Sequence, residues 1–224
     1  MIKFFFNGSP NPTKVALFLE ESGLRYEPVP VDTRRGQQFD PAFLAINPNG
    51  KVPAIVDGDA TVFDSNAILL YLAEKTGRFL PPAAARGELL SWLMFVATGV
   101  GPFCGQAVHF IHFAPEKIPY AQKRYRFEAE RHFTVLDQRL AQRAYMVGDG
   151  YSIVDMDVWG WARMIPFILG EGAFDRWPNL KRLADEISAR PAAQRAVAIK
   201  DRFPFKAEMD EEAHRHMFKH VQAT

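Results

Sequence analysis

Asn47-Pro48-Asn49-Gly50-Lys51-Val52-Pro53-Ala54-Ile55-Val56-Asp57-Gly58-Asp59-Ala60-Thr61-Val62-Phe63-Asp64-Ser65 is the stretch that decides how this chain folds. Asn47 to Gly50 is a turn by composition. Pro53 to Val56 and Ala60 to Phe63 are short β-type runs, and the acidic-glycine link between them makes a hairpin. Val52-Pro53 stands directly before the first run, where proline cannot donate to a ladder. A cis bond is open to it, as in ~5–6% of X–Pro bonds. Asp64-Ser65 then opens a helix with Ile68, Leu69, Tyr71 and Leu72 on its apolar side, ending near Gly77.

Upstream, Ile2-Lys3-Phe4-Phe5-Phe6 is a β-type run stopped by Asn7-Gly8. After Ser9-Pro10-Asn11-Pro12 the period turns helical. Val15, Phe18, Leu19 and Ser22 share a face, Glu20 and Glu21 point out, and Gly23 fits a C-cap. Tyr26 to Val31 is a second β-type run, confined by Pro28 and Pro30 to an edge or an irregular strand. A short helical piece lies around Ala42–Ile46. Residues 1–80 therefore form an α/β domain in the order β-α-β-α-β-β-α.

Downstream, Pro81-Pro82 marks a linker, and no convincing strand follows. Helical stretches cover about 84–112, 118–143, 153–169, 176–189, 192–200 and 207–220, giving an all-α domain over 84–224. Ser152-Ile153-Val154-Asp155 is a capping-box start.

Composition sets the outer limits. The 224 residues are 48% apolar and 24% charged, which fits a globular chain with a full core. A net charge of +1 gives no electrostatic case for nucleic acid. One cysteine, Cys104, excludes an internal disulfide framework and any CxxC motif. The first residues do not read as a signal peptide, and no window approaches the ~18 apolar residues of a membrane span. A cytoplasmic protein without a membrane partner is expected.

Three places can carry chemistry. Ser9-Pro10-Asn11 lies between a strand and a helix, where a hydroxyl, an amide and a helix start stabilise an anion or thiolate; plain capping by Ser and Asn is the other reading. Val52-Pro53 proves nothing alone. Asp64-Ser65 suits the ammonium and carboxylate of an α-amino-acid head group, and is equally an N-cap. His109 and His112 stand at i, i+3, but no third ligand accompanies them, so packing or the wall of an acceptor site is the reading and no metal is expected. His214, His216 and His220 belong to a charged tail.

Together, these three segments in this order resemble the thioredoxin-like half of the cytosolic glutathione transferases. The resemblance covers about residues 1–200 and includes Tyr71-Leu72 and Val147-Gly148 ahead of the Ser152–Asp155 box. Closer still is the Nu class, a bacterial group that includes disulfide-bond reductases. It is marked by Gly36-Gln37-Gln38-Phe39, Leu70 to Gly77, Gly101-Pro102-Phe103, and Ile118-Pro119-Tyr120-Ala121 followed by Arg124-Tyr125.

The resemblance implies a thioredoxin-like N-terminal domain followed by an all-helical one, glutathione as cosubstrate, and a homodimer. Asn11 and Ser9 would stabilise the glutathione thiolate. Asp64 and Ser65 would hold the γ-glutamyl head, Val52 beside a cis Pro53 the cysteinyl backbone, Lys51 the glycyl carboxylate, and Gln38 the same tripeptide. Arg124 would take a carboxylate of a second glutathione or of glutathione disulfide, its other reading being a solvated helix charge. Phe103, His109, Phe110 and Phe205 would wall an acceptor site for a small electrophile or disulfide, with Phe203-Pro204-Phe205 folding back over it; a surface helix with loose ends is the other reading of the tail. Because the 9–12 turn holds no cysteine, disulfide reduction would use two glutathiones, one attacking and one resolving. Conjugation or cleavage of an apolar electrophile by glutathione is the second reading, and a non-catalytic binding protein the third.

Overall fold

The computed structural model describes residues 1–219; His220 and the rest of the tail lie outside the described residues. Its strands are β1 (Ile2–Phe6), β2 (Tyr26–Pro30), β3 (Ala54–Asp57) and β4 (Ala60–Phe63). Its α-helices are α1 (Pro10–Ser22), α2 (Pro41–Leu44), α3 (Ser65–Thr76), α4 (Arg86–Phe95), α5 (Gly101–Val108), α6 (Pro119–Leu140), α7 (Ile153–Ala162), α8 (Ile165–Leu169), α9 (Pro178–Ser188), α10 (Pro191–Ala198) and α11 (Glu211–Met217). The chain divides into two compact units, residues 1–72 with those from Pro191 on, and residues 73–190. The sequence reading placed the tail with the helical part; here it groups with the sheet.

In the first unit the sheet order is β2-β1-β3-β4. β2 lies parallel to β1 at the sheet edge, where Pro28 and Pro30 cost no interior ladder bond. β1 alternates as a strand with one buried face must: Ile2, Phe4 and Phe6 are buried and Lys3 is exposed. The β3–β4 hairpin closes through Gly58-Asp59, and Gly58 supplies the positive φ (61°) that a two-residue turn needs. α1 ends where Gly23 takes a left-handed φ of 70° and its N–H reaches the Leu19 carbonyl. Phe4, Phe6, Phe18, Leu19, Ile55, Ile68 and Leu72 fill the core.

The tail completes this unit. α10 packs along α1, and Arg195 bonds Glu20 at 2.6 Å. The rings of Phe203 and Phe205 stand edge-on to Phe6, at 5.5 and 5.8 Å between centroids. The Lys206 N–H donates to Asp32 Oδ2 at 2.7 Å, and Arg34 Nη1 donates to the carbonyls of Lys206 and Ala207. These bonds tie the tail to the Asp32–Phe39 turn.

Among its described residues the second unit holds helices joined by turns and no strand. The stretch read as one helix over 118–143 stops at Leu140, and the one over 153–169 is broken at Arg163-Met164. The break has a local cause: Pro166 has no N–H for the Ala162 carbonyl and favours the first turn of a new helix. Ala83–Phe113 is one continuous helical run of 31 residues with a mean hydropathy of 1.3 over its most apolar window. By length and composition it could cross a membrane, which the sequence reading had discounted. Two π-helical turns interrupt it, Val96–Val100 and His109–Phe113, a geometry frequent at functional sites.

Candidate functional site

The sheet register collects three of the expected segments. Phe5 pairs with Ala54, and Ala54 with Phe63. Thus the turn that follows β1, the Pro53 that precedes β3 and the Asp64 that follows β4 share one end of the sheet.

At the first of these, Ser9 is the N-cap residue of α1, but its side chain caps nothing. Its hydroxyl donates to Asn7 Oδ1 at 2.6 Å, and its own N–H donates to the same oxygen at 3.0 Å. The expected donor to a thiolate is therefore engaged backwards. Pro10 and Pro12 carry no N–H, so among the first three helical positions Asn11 alone has a backbone donor. Asn11 also brings its carboxamide to the same turn. The helix dipole adds to this donor set.

At the second, the Val52–Pro53 bond is cis, as the family resemblance implied. Pro53 is buried, Val52 partly so, and Lys51 is exposed. Asn47, 2% exposed, organises the approach: its Nδ2 donates to the Lys51 carbonyl at 2.6 Å and its Oδ1 accepts the Asn49 N–H at 3.0 Å. The sequence marked Asn47 only as a turn residue.

At the third, Asp64 is an N-cap with one carboxylate oxygen engaged. Its Oδ1 accepts the N–H groups of Asn66 (2.9 Å) and Ala67 (3.2 Å), which is N-capping of α3. Its Oδ2 has no partner among the described residues and the residue is exposed. Asp64 takes φ 70°, a left-handed backbone that a non-glycine residue adopts only where its surroundings enforce it. Ser65 is buried and its hydroxyl donates to Asn66 Oδ1 at 3.2 Å. The same oxygen accepts Lys14 Nζ at 2.8 Å. Lys14 is 1% exposed, a buried ammonium that bolts α1 to the start of α3. Sequence reasoning missed Lys14 and Asn66.

Gln38 is engaged by the tail. It is 4% exposed, and its Nε2 donates to the His216 carbonyl of α11 at 3.1 Å. Its Oε1 is buried without a hydrogen bond among the described residues. The His216 ring fills the space that a Cβ on Gly36 would occupy, so this turn is built to receive α11.

In the second unit, Arg124 keeps Nη1 on Glu128 Oε1 at 2.6 Å while half of its side chain stays exposed. Arg131, bonded to the other carboxylate oxygen at 2.9 Å, holds the Glu128 carboxyl below the usual carboxylate range. Phe103 and Phe110 both meet Tyr125, and Phe110 stacks on it at 5.2 Å. Phe103 and Phe95 flank His132, each 5.1 Å from its ring. His132 Nδ1–H donates to the Glu128 carbonyl, and burial depresses its proton affinity. His109 lies edge-on to Phe110, and Phe205 packs on Phe6 in the first unit. His112 donates to the Phe167 carbonyl and stacks on that ring. Cys104 is fully buried, and burial pushes its thiol up.

Residues 1–74 match the family model described as glutathione S-transferase, N-terminal domain, and residues 101–191 the C-terminal domain model. The chain belongs to the glutathione S-transferase family. It is therefore an enzyme-family member whose cosubstrate is glutathione, with a thioredoxin-like first domain and a helical second one. It is 42% identical over 205 residues to the disulfide-bond oxidoreductase YfcG of Escherichia coli, covering 88% of this chain and 94% of that one. Identity to the E. coli disulfide-bond oxidoreductase YghU is 39%, over 88% and 74% of the two chains. Among solved structures, a glutathione transferase of Burkholderia graminis with two glutathiones bound per subunit superposes with a TM-score of 0.84 at 36% identity, covering 90% and 89%. One from Pseudomonas putida with one glutathione disulfide per subunit gives 0.82 at 34% identity, covering 88% and 91%.

Proposed function

We propose that this glutathione S-transferase family member is a cytoplasmic homodimer of the Nu type that reduces disulfides with glutathione. Asp64 Oδ2 takes the γ-glutamyl ammonium, Ser65 and the α3 start its carboxylate, and Lys51 the glycyl carboxylate. The Val52 backbone pairs with the cysteinyl unit as an added strand. Asn11 stabilises the thiolate. Arg124 is the residue proposed for a carboxylate of a second glutathione.

The step needs no protein cysteine. One glutathione thiolate attacks a sulfur of the substrate disulfide, forming a mixed disulfide and expelling the first substrate thiolate. A second glutathione thiolate attacks the glutathione sulfur of that mixed disulfide, giving glutathione disulfide and the second substrate thiolate. The two protons lost by the glutathiones end on the two product thiols.

The observation that carries this reading is the row Phe5–Ala54–Phe63. It sets a donor turn, the segment ahead of β3 and an acid-serine helix start at one sheet end, in a chain whose one thiol is buried elsewhere. Two relatives named as disulfide-bond oxidoreductases, and relatives crystallised with two glutathiones or with glutathione disulfide, support it.

The test is turnover of bis(2-hydroxyethyl) disulfide with glutathione. The expected result is one glutathione disulfide formed per disulfide reduced. No reduction, alongside conjugation of an apolar electrophile, would replace this reading with the transferase one.

A further inference from the structure

Ser9 has one hydroxyl proton, and its location is settled by the neighbouring bonds. The Ser9 backbone N–H points at Asn7 Oδ1, and an N–H only donates, so the oxygen end of the Asn7 carboxamide faces Ser9. The nitrogen end agrees, donating to Thr33 Oγ1 at 3.2 Å. An amide oxygen carries no proton, so the 2.6 Å contact from Ser9 Oγ must hold the serine proton between them. That proton is not available to a sulfur. The hydroxyl's lone pairs are.

We propose that Asn7 is a positioning residue that holds the Ser9 proton, so that Ser9 meets the glutathione sulfur as a hydrogen-bond acceptor and Asn11 alone acts as the side-chain donor. This rests on the glutathione reading of the site and adds to it. A group that accepts from a thiol favours the neutral thiol; a group that donates to the thiolate favours ionisation. Asn7 and Ser9 together oppose Asn11 and the helix dipole. The opposition has a chemical use, because a thiolate of lower basicity is also a weaker nucleophile, and attack on a disulfide is fastest when the thiol titrates near ambient pH. Asn7 keeps the bound thiol from becoming too acidic.

The test follows the ultraviolet thiolate absorbance of bound glutathione against pH. Cys104, buried and pushed up, contributes nothing to that band near neutrality. Asn7→Ala frees the Ser9 proton for the sulfur, and the bound thiol is expected to titrate about one unit lower. Ser9→Ala in the wild-type background is expected to leave the titration unchanged or slightly lower. The double variant should match Ser9→Ala, because Asn7 acts only through that hydroxyl. Asn7→Asp keeps the accepting oxygens and should not lower the titration, which preserves the test if Asn7→Ala fails to fold.

A Ser9→Ala titration shifted upward, or an Asn7→Ala titration unchanged, would overturn the proposal. A wild type with no glutathione-dependent band, unaltered by Asn11→Ala, would instead overturn the glutathione reading on which it stands.

Discussion

Two helices of this chain take serine as their N-cap residue and end their resemblance there. α7 opens on Ser152, whose N–H and hydroxyl both donate to Asp155 Oδ2, at 2.8 and 2.9 Å, while the Met146 N–H takes Oδ1 at 2.8 Å. Asp155 is fully buried, and burial outweighs these three donors to push its carboxyl up to about 6. The capping box is closed, with every polar atom consumed by the chain itself. α1 opens on a serine that caps nothing, on two prolines without N–H groups, and on Asn11. A closed start stabilises the fold. At α1 the serine side chain supplies no cap, and the role proposed for that start is to meet a ligand.

Substitutions at the two starts should therefore separate rate from stability. The largest effect is expected for Asn11→Ala. Losing the donor proposed for the thiolate should cut kcat/KM for glutathione-dependent disulfide reduction by roughly 10²–10³, the size seen on removal of a transition-state donor. Its thermal midpoint should stay near wild type.

Asp155→Ala should do the reverse. It strands the Met146 and Ser152 donors in a buried site and should cost about 3 kcal/mol in urea unfolding, with the glutathione KM of the folded fraction unchanged. A variant that changed both quantities equally would break the distinction between the two starts.

A smaller effect is expected at the bolt between α1 and α3. Lys14→Met removes a charged hydrogen bond to Asn66 and loosens the start that carries Asp64 and Ser65. Steady-state kinetics should show the glutathione KM raised about tenfold with kcat nearly unchanged, the worth of one charge-assisted bond.

The smallest is a pH effect in the helical unit. Burial holds the folded-state proton affinity of His132 below its ordinary value, so the unfolded chain takes up a proton that the native one refuses. Stability from His132 is present above the unfolded value of about 6.5 and is lost as pH falls below it. Asp155, raised to about 6, works the other way, gaining stability as pH falls from 6 toward 4. The difference between wild type and His132→Gln across pH 7 to 5, measured by urea unfolding, isolates the first contribution.

The sequence carried the outline of the site because its elements are local. Asn47 to Gly50, the X-Pro before the hairpin and the Asp64-Ser65 start are each set by neighbours within a few residues. The proline-bearing edge strand β2 was legible for the same reason.

What escaped the sequence is long-range. Lys14 looks like any charge on an amphipathic helix, yet α1 is buried continuously from Pro12 to Leu19, partly because α10 returns from the far end of the chain to pack along it. Nothing near Gln38 in the sequence announces that α11 bonds its amide. Asn7 reads as a strand stop, and only three dimensions show it taking the Ser9 proton. The break at Arg163-Met164 was a local signal passed over, since Pro166 announces it.

Backbone hydrogen exchange with and without glutathione disulfide tests the contrast between open and closed helix starts most directly. The account predicts slowed exchange on ligand binding at Asn11, Val52 and the amides at the start of α3, with no change over 153–156 at the start of α7. Equal slowing at both kinds of start, or slowing at α7 alone, would contradict it.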